Sequence, residues 1–301
     1  MEVRLVAGGV GIKSLFVVLL VLVLPCSALG RTWNVPADAP TIQAGIDLAT
    51  PGDEVVIACG TYSDCTHPIP RPNAGLACMI LKSGITVRGA TGRADCVVVD
   101  AMQQGRVVDA YPTDGTLTDV VLEGLTLTGG RVTIMGSGDN GGALNCRNAS
   151  IVLRNCRISG NYASGTGGGF NILGSNIELQ NCLVSENSVP GSNHGGGFLV
   201  NDGSHLVLRD CSVISNHAGN GGGIYALFSA LDFYNTDFAL NTANPGYPWN
   251  GSTDWYCTTN WYCCDISHND GGWLGGVNEF NDGCAVETEN RTWGRLKSLY
   301  R

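Results

Sequence analysis

The chain has 301 residues, of which 44% are hydrophobic and 14% are charged, so it can bury a large core and is not a disordered chain. Its formal net charge is −9. Because an acidic surface has no electrostatic attraction for nucleic acid or for an anionic membrane, both are excluded as expected partners. A polyuronate would also be repelled unless a divalent cation bridged it to the protein.

Residues 1–30 have the pattern of a signal peptide: the basic residues Arg4 and Lys13, the apolar run Leu15 to Leu24, and small residues up to Gly30. This apolar run of about ten residues is shorter than the roughly 20 that a membrane span needs. The segment therefore predicts an exported protein, secreted or at the cell surface. An uncleaved anchor is the alternative, and it would be the only contact with a membrane.

Residues 31–52 predict a short strand around Trp33 followed by a helix. Asp38 or Thr41 is the expected N-cap, and Ile42 and Ile46 lie on one helical face. Pro51 and Gly52 end the helix, and a first strand follows at Glu54–Ile57.

One sequence pattern occurs four times between Gly141 and Asn241. Each copy opens with glycines, and the copies are 26, 28 and 26 residues apart, beginning at Gly141, Gly167, Gly195 and Gly221. A fixed period in the twenties, with apolar residues at even spacing and Gly or Asn between them, is typical of a β-solenoid. Since a solenoid exposes core at a bare end, the helix near Ile42 is predicted to cover the first coil.

Stacked coils bring equivalent residues into columns. The pattern places Leu153, Leu179, Leu208 and Phe233 in one inward column, with Cys156, Cys182, Cys211 and Thr236 in a second. Two columns are predicted to be structural ladders at corners, where Asn tolerates a left-handed backbone and its amide can bond the next coil. The first ladder is Asn155, Asn181, Asp210 and Asn235, and the second is Asn161, Asn187, Asn216 and Asn241.

The segments Val35 to Tyr62, Ile85 to Gly89 and Leu122 to Gly130 resemble bacterial secreted right-handed parallel β-helix proteins of the pectin-lyase-like superfamily. The glycine boxes and Ile158 to Asn161 are also similar to the repeats of chlamydial polymorphic membrane proteins. The resemblance implies an all-β fold, one right-handed parallel β-helix. A period in the twenties divides residues 53–285 into about eight to ten coils. It does not imply one activity, because that superfamily contains lyases, hydrolases, epimerases and adhesins.

Residues 246–285 depart from the regular coils of 53–245 and end in a last degenerate coil, and residues 286–301 form a C-terminal tail. Aromatic residues with polar neighbours crowd the start of this segment, which makes it the candidate ligand-binding surface. Its residues are Trp249, Trp255, Tyr256, Trp261 and Tyr262. The alternative is a plug in which these rings cover the last coil.

The cysteines fall into groups with different expectations. Cys59, Cys65, Cys78 and Cys96 lie in the first coils and are expected to form disulfides, as are the four in the C-terminal segment. The column of Cys156, Cys182 and Cys211 is expected to be small buried side chains, with an inter-coil bridge as the alternative. No metal site is predicted.

The sequence does not assign catalytic residues. Asn235-Thr236-Asp237 matches a box of the polygalacturonases, but the repeat already accounts for it and the companion boxes are missing. His194 and His217 precede glycine runs and are expected to lie near each other, facing water.

We therefore predict a monomeric, non-catalytic protein without a cofactor that binds a polysaccharide or cell-surface glycan. The alternative is a polysaccharide lyase or glycoside hydrolase with a loop-built acidic site, which would use Ca²⁺ if it were a lyase. The acids considered for such a site are Asp139, Glu186 and Asp202.

Overall fold

The chain winds through three parallel β-sheets in a computed structural model that describes residues 30–112, 115–133 and 139–243, and further strands between 252 and 281. In those further strands the backbone alone is described, apart from Asn260. The C-terminal tail and the predicted signal peptide up to residue 29 lie outside the described residues.

Sheet A contains ten strands, numbered here along the chain. They are β1 (Thr32–Val35), β2 (Glu54–Ile57), β6 (Thr86–Gly89), β9 (Leu117–Glu123), β13 (Ala149–Arg154), β17 (Asn176–Gln180), β20 (His205–Arg209), β24 (Ala230–Tyr234), β28 (Thr258–Tyr262) and β30 (Val277–Asn281).

Sheet B contains β3 (Gly60–Tyr62), β7 (Val97–Asp100), β10 (Leu125–Thr128), β14 (Arg157–Ser159), β18 (Leu183–Ser185), β21 (Ser212–Ile214), β25 (Asp237–Ala239) and β29 (Asp265–Ser267). Sheet C contains β4 (His67–Pro68), β5 (Leu76–Ile80), β8 (Arg106–Ala110), β12 (Leu144–Arg147), β16 (Phe170–Leu173), β19 (Phe198–Asn201), β23 (Ile224–Leu227) and β27 (Ser252–Trp255). Two short pairs lie between sheets B and C: β11 (Arg131–Val132) with β15 (Tyr162–Ala163), and β22 (His217–Ala218) with β26 (Thr242–Ala243).

Each coil runs through sheets A, B and C in turn, and almost every strand pairs in parallel with its equivalent in the next coil. Only β4 runs antiparallel to its neighbour among the described strands. Seven coils in the described part of the chain contain a strand of all three sheets, and β28, β29 and β30 continue sheets A and B beyond them. The β-helix predicted from the repeat is confirmed, and its sheets extend into residues 246–285.

The inward columns are the ones that the repeat predicts. Leu153, Leu179, Leu208 and Phe233 are fully buried and stack in register across sheet A. Cys156, Cys182 and Cys211 are buried free thiols, as the expectation of small core side chains requires. Burial raises the pKa of the Cys182 thiol well above its usual value, so this side chain acts as a small apolar group.

The corners are formed by residues with a left-handed backbone. At the corner from sheet A to sheet B these are Asn155, Asn181, Asp210 and Asn235, with φ between 46° and 54°. Gly or Asn is the residue type that adopts this conformation at least cost. The glycine runs mark a second tight corner, where a Cβ on Gly168 would lie 2.5 Å from the backbone nitrogen of Ser188.

The second Asn column corrects one expectation, because its left-handed residue is the one before each Asn: Gly160, Glu186, Ser215 and Leu240. The Asn side chains are instead buried and bonded in a continuous ladder. Asn161 Nδ2 donates to Asn187 Oδ1 over 2.9 Å, Asn187 donates to Asn216 over 3.0 Å, and Asn216 donates to Asn241 over 3.0 Å. These bonds tie every coil of the repeat to the next.

The helix α1 (Ile42–Leu48) covers the first coil, as predicted. Thr41 is its N-cap and accepts a hydrogen bond from the Ala44 N–H over 3.1 Å. Ile46 is fully buried in the same apolar cluster as Val55 and Ile57. Disulfides join Cys59 to Cys96 and Cys65 to Cys78, which confirms the bridges expected in the first coils.

A buried ion network fixes the loop between β4 and β5 to sheet C. Arg106 is fully buried and bonds Asp109 over 3.0 Å. Arg71 bonds both oxygens of Asp109, over 2.9 and 2.8 Å, and lies 3.9 Å from the Tyr111 ring centroid. The buried carboxylate of Asp109 therefore forms ion pairs with both Arg71 and Arg106.

Candidate functional site

The outer face of sheet A carries a cluster of polar side chains on β17, β20 and β24. Because side chains alternate along a strand, the residues next to the buried Leu179, Leu208 and Phe233 point outward. The parallel register places these outward residues in two columns. The columns are Glu178, Val207 and Asp232, and Gln180, Arg209 and Tyr234.

A histidine–carboxylate pair lies on one side of this cluster. His205 Nε2 is 2.7 Å from Asp232 Oδ2, and the amide of Asn260, one coil further on, donates to Asp232 Oδ1 over 2.6 Å. The side chains of His205 and Asp232 are 41% and 21% exposed. Three successive coils thus contribute to one hydrogen-bonded group that solvent and ligands can reach.

An arginine–glutamate pair lies on the other side. Arg209 Nε donates to Glu178 Oε1 over 2.9 Å, and Gln180 donates to the same oxygen over 3.0 Å. The Arg209 guanidinium carbon lies 4.0 Å from the ring centroid of Tyr234. Burial lowers the pKa of Arg209, but the bond to Glu178 outweighs this effect and raises the pKa above its ordinary value.

Val207 is partly exposed between these two pairs, with Glu178 on the coil before it and Asp232 on the coil after it. We call the seven residues of this cluster the Val207 patch: Glu178, Gln180, His205, Val207, Arg209, Asp232 and Tyr234. It offers a small apolar floor, charged donors and acceptors, and an aromatic ring. Within the described ranges no group of three or more His, Cys, Asp or Glu residues is arranged to hold a metal ion.

This patch is not among the sites predicted from the sequence. The signal lay one residue before each inward Leu or Phe, where the four copies read Val152, Glu178, Val207 and Asp232. The bond from Asp232 to His205 is diagonal between two strands, so no single column of the repeat displays it.

The two corner histidines are not arranged as expected. His194 pairs with Asn220 on the next coil, and its ring stacks on Tyr225 with centroids 4.2 Å apart. His217 Nδ1 instead lies 2.9 Å from Thr242 Oγ1. Burial lowers the pKa of His194. His194 and His217 therefore do not occupy equivalent positions in the coil, although both follow Ser-Asn in the sequence.

The other sites considered from sequence are accounted for by the fold. Thr236 is fully buried, and Asn235 donates to Asp210 over 2.6 Å, so the Asn-Thr-Asp box belongs to the structural columns. The corner acids do not gather: Glu186 has a left-handed backbone after sheet B and Asp202 has one after sheet C. Asp139 precedes the glycine corner.

The predicted aromatic surface is described only by its backbone. Trp249, Tyr256 and His268 lie outside the described residues. Trp255 pairs with Leu227 in sheet C, and Trp261 takes the register position after Phe233 in sheet A. Tyr262 takes the register position after Tyr234. Whether these residues bind a ligand stays a prediction.

The fold and the outer-face cluster define a parallel β-helix protein with a polar face on its longest sheet. A family model described as a right handed beta helix region matches residues 81–253, more than half of the chain. The chain belongs to this right-handed β-helix family, and the resemblance to pectin-lyase-like proteins is confirmed for the fold.

Two solved structures are similar to the chain. The chain is similar to pectate lyase Pel9A at 17% identity and a TM-score of 0.50, covering 79% of this chain and 56% of the lyase. It thus spans little more than half the length of that enzyme. It is also similar to a pectin methylesterase from Aspergillus niger at 12% identity and a TM-score of 0.47, covering 85% of this chain and 82% of the esterase. The sequence has no significant match among curated proteins.

Proposed function

We propose that the protein is an exported β-helix protein that binds a polysaccharide along the outer face of sheet A, with the Val207 patch at its centre. The observation that carries this proposal is the patch itself. Glu178 and Arg209 hold each other in place, as do His205 and Asp232. Such side chains are partly ordered before a ligand arrives, which lowers the entropic cost of binding.

The geometry of the face suits a polymer of small repeating units. Successive coils are about 4.8 Å apart, so the face offers a new set of side chains at that interval. Arg88, Arg154 and Arg209 occupy the same outward column at every second coil. Planar guanidinium groups and the Tyr234 ring provide hydrogen bonds and a flat apolar surface for sugar rings.

The aromatic segment near the C-terminus extends this proposal. Tyr262 takes the register position after Tyr234, so a ligand on the Val207 patch would continue toward this segment.

Export is part of the proposal, through cleavage of a signal peptide at about residue 30. The disulfides Cys59–Cys96 and Cys65–Cys78 are compatible with an extracellular protein. In the described residues no helix is sufficiently long and apolar to span a membrane. We propose that the mature chain acts as a monomer, with a glycan and not a nucleic acid as its partner.

A second candidate function is cleavage of the glycan chain. Glu178 and Asp232 lie two coils apart in one column, or about 9.6 Å between their backbones. This is close to the 6.5–9.5 Å between the carboxyl groups of inverting glycosidases. Both carboxylates, however, already accept hydrogen bonds from basic side chains. Binding is therefore the better supported function, and Ca²⁺ enters only if the protein is a lyase.

The proposal is tested with the mature chain, residues 31–301, on a glycan array. We expect at least one polysaccharide to bind, and Arg209→Ala to weaken its affinity about tenfold, or about 1.4 kcal/mol. The control is Arg131→Ala, because Arg131 lies over the Tyr162 ring (4.5 Å) in an equivalent pair away from sheet A. Equal affinity losses in the two variants, or an array without any bound glycan, contradict the proposal. Release of reducing or unsaturated ends from the bound glycan identifies the second function.

A further inference from the structure

We infer that His205 and Asp232 form a general-base site that hydrolyses ester substituents on a polysaccharide held at the Val207 patch. The inference rests on the proposed binding function and adds a reaction to it. The reaction removes an acyl group and leaves the glycan chain intact, so it differs from the chain cleavage considered above.

The contact with Asp232 sets the tautomer of the neutral His205 ring. A carboxylate accepts hydrogen bonds, so the proton of neutral His205 lies on Nε2, which is 2.7 Å from Asp232 Oδ2. The lone pair is then on Nδ1, the nitrogen that can accept a proton. Asn260 holds the other oxygen of Asp232 over 2.6 Å. A base oriented by a carboxylate, which is itself oriented by a third group, is the arrangement that activates nucleophiles in hydrolases.

The fold does not need this pair for its stability. The backbones of β20 and β24 are in register over all five residues, from His205 with Ala230 to Arg209 with Tyr234. Leu206 and Leu208 between them are fully buried. A partly exposed ion pair contributes only about 0–1 kcal/mol. The main effect of the pair is therefore to fix the orientation of the ring.

Water is the nucleophile that the site can activate. In the register column of His205 the neighbours are Asn176 on the preceding coil and Ala230 on the following one, and neither is nucleophilic. Asn176 is exposed, so its amide is available to donate to the acyl oxygen as negative charge develops there. Arg209 provides a cationic group at the other side of the patch.

The reaction is balanced with water as the one co-reactant. His205 Nδ1 removes a proton from water while the water oxygen bonds to the acyl carbon. The tetrahedral intermediate collapses with cleavage of the bond from the acyl carbon to the sugar oxygen. The proton passes from His205 to that sugar oxygen, which gives a carboxylic acid and a free hydroxyl group. His205 is the catalytic residue, and Asp232 is a positioning residue.

The test measures acetate release from O-acetylated glycans that bind the wild-type chain, with p-nitrophenyl acetate as a second probe. We expect His205→Gln to lower the release rate by at least about 100-fold, the usual contribution of a general base. The melting temperature should be retained, and the rates are compared at saturating glycan so that weaker binding by this patch residue does not lower them. Asp232→Asn should also slow release while the protein stays folded. The control is His217→Gln, since His217 bonds Thr242 at a corner away from the patch.

The kinetic constants separate orientation from a merely structural role of Asp232. Asp232→Asn should lower kcat for acetate release much more than it raises KM, because the His205 ring loses the carboxylate that orients it. Asp232→Glu should restore part of the rate. Wild-type binding without acetate release, or full release by His205→Gln, overturns the inference alone. Absence of binding overturns the proposed function as well.

Discussion

Leu179 tests the assignment of the strand faces. Its side chain is fully buried, and its register neighbours Leu153 and Leu208 are fully buried as well. Leu179→Ala should cost about 2–5 kcal/mol, because it leaves a cavity between two coils. Leu179→Asp adds the cost of an unpaired buried charge, several kcal/mol more. The sum approaches the 5–15 kcal/mol that holds most proteins folded, so this variant should not fold.

Gln180 supplies the matched control, one residue further along β17. It faces outward and is partly exposed, and Arg154 donates to its Oε1 over 3.2 Å. An Asp at position 180 can still accept a bond from Arg154, so Gln180→Asp should change stability by less than about 1 kcal/mol. Far-UV circular dichroism, thermal melting and urea midpoints distinguish the variants. Equal destabilisation by the two Asp substitutions would mean that the assigned strand faces are reversed.

Three further predictions concern buried polar groups. Asn187→Ala breaks the buried ladder and should lower stability by about 1–3 kcal/mol, whereas Asn181→Ala at an exposed corner should cost less in the same urea titration. Asp109→Ala leaves the buried Arg106 without its carboxylate and should cost about 3–5 kcal/mol by the same measure, while a neutral effect would show that water reaches the site. Backbone bonds from Thr50 and Arg31 lower the pKa of Asp53 from 3.8 to about 2, so ionised Asp53 stabilises the fold above about pH 4 and loses this effect as the pH falls toward 2. Asp53→Asn should therefore flatten the loss of melting temperature over that range, and an unchanged slope would contradict it.

The repeat made most of the fold predictable. A fixed period places equivalent residues in contact, so the burial of Leu179 and the free thiol of Cys182 follow from one aligned column. The repeat did not predict that the left-handed residue at this corner is Glu186 and not Asn187. Asn is favoured both at left-handed corners and in buried ladders, and its identity alone does not separate these roles.

The candidate site was less accessible to sequence analysis. His205 and Asp232 meet through a diagonal contact whose geometry depends on side-chain length and rotamer. Arg71 reaches Asp109 from a loop outside the repeat, where no periodicity fixes the fold. Sequence periodicity therefore predicts what lies directly above and below a residue, and it does not predict which side chains meet across columns.

The Asn ladder has a consequence for the size of the molecule. Asn161, Asn187 and Asn216 each donate from Nδ2 to the Asn Oδ1 of the following coil. Successive coils are therefore joined by the same hydrogen bond. Coils of this kind are interchangeable building units, and the β-helix can lengthen or shorten by a whole coil without a new type of contact. The coils that contain Asn187, Asn216 and Asn241 also carry the Val207 patch on β17, β20 and β24. A coil inserted between them would leave the ladder unbroken but would separate the side chains of the patch.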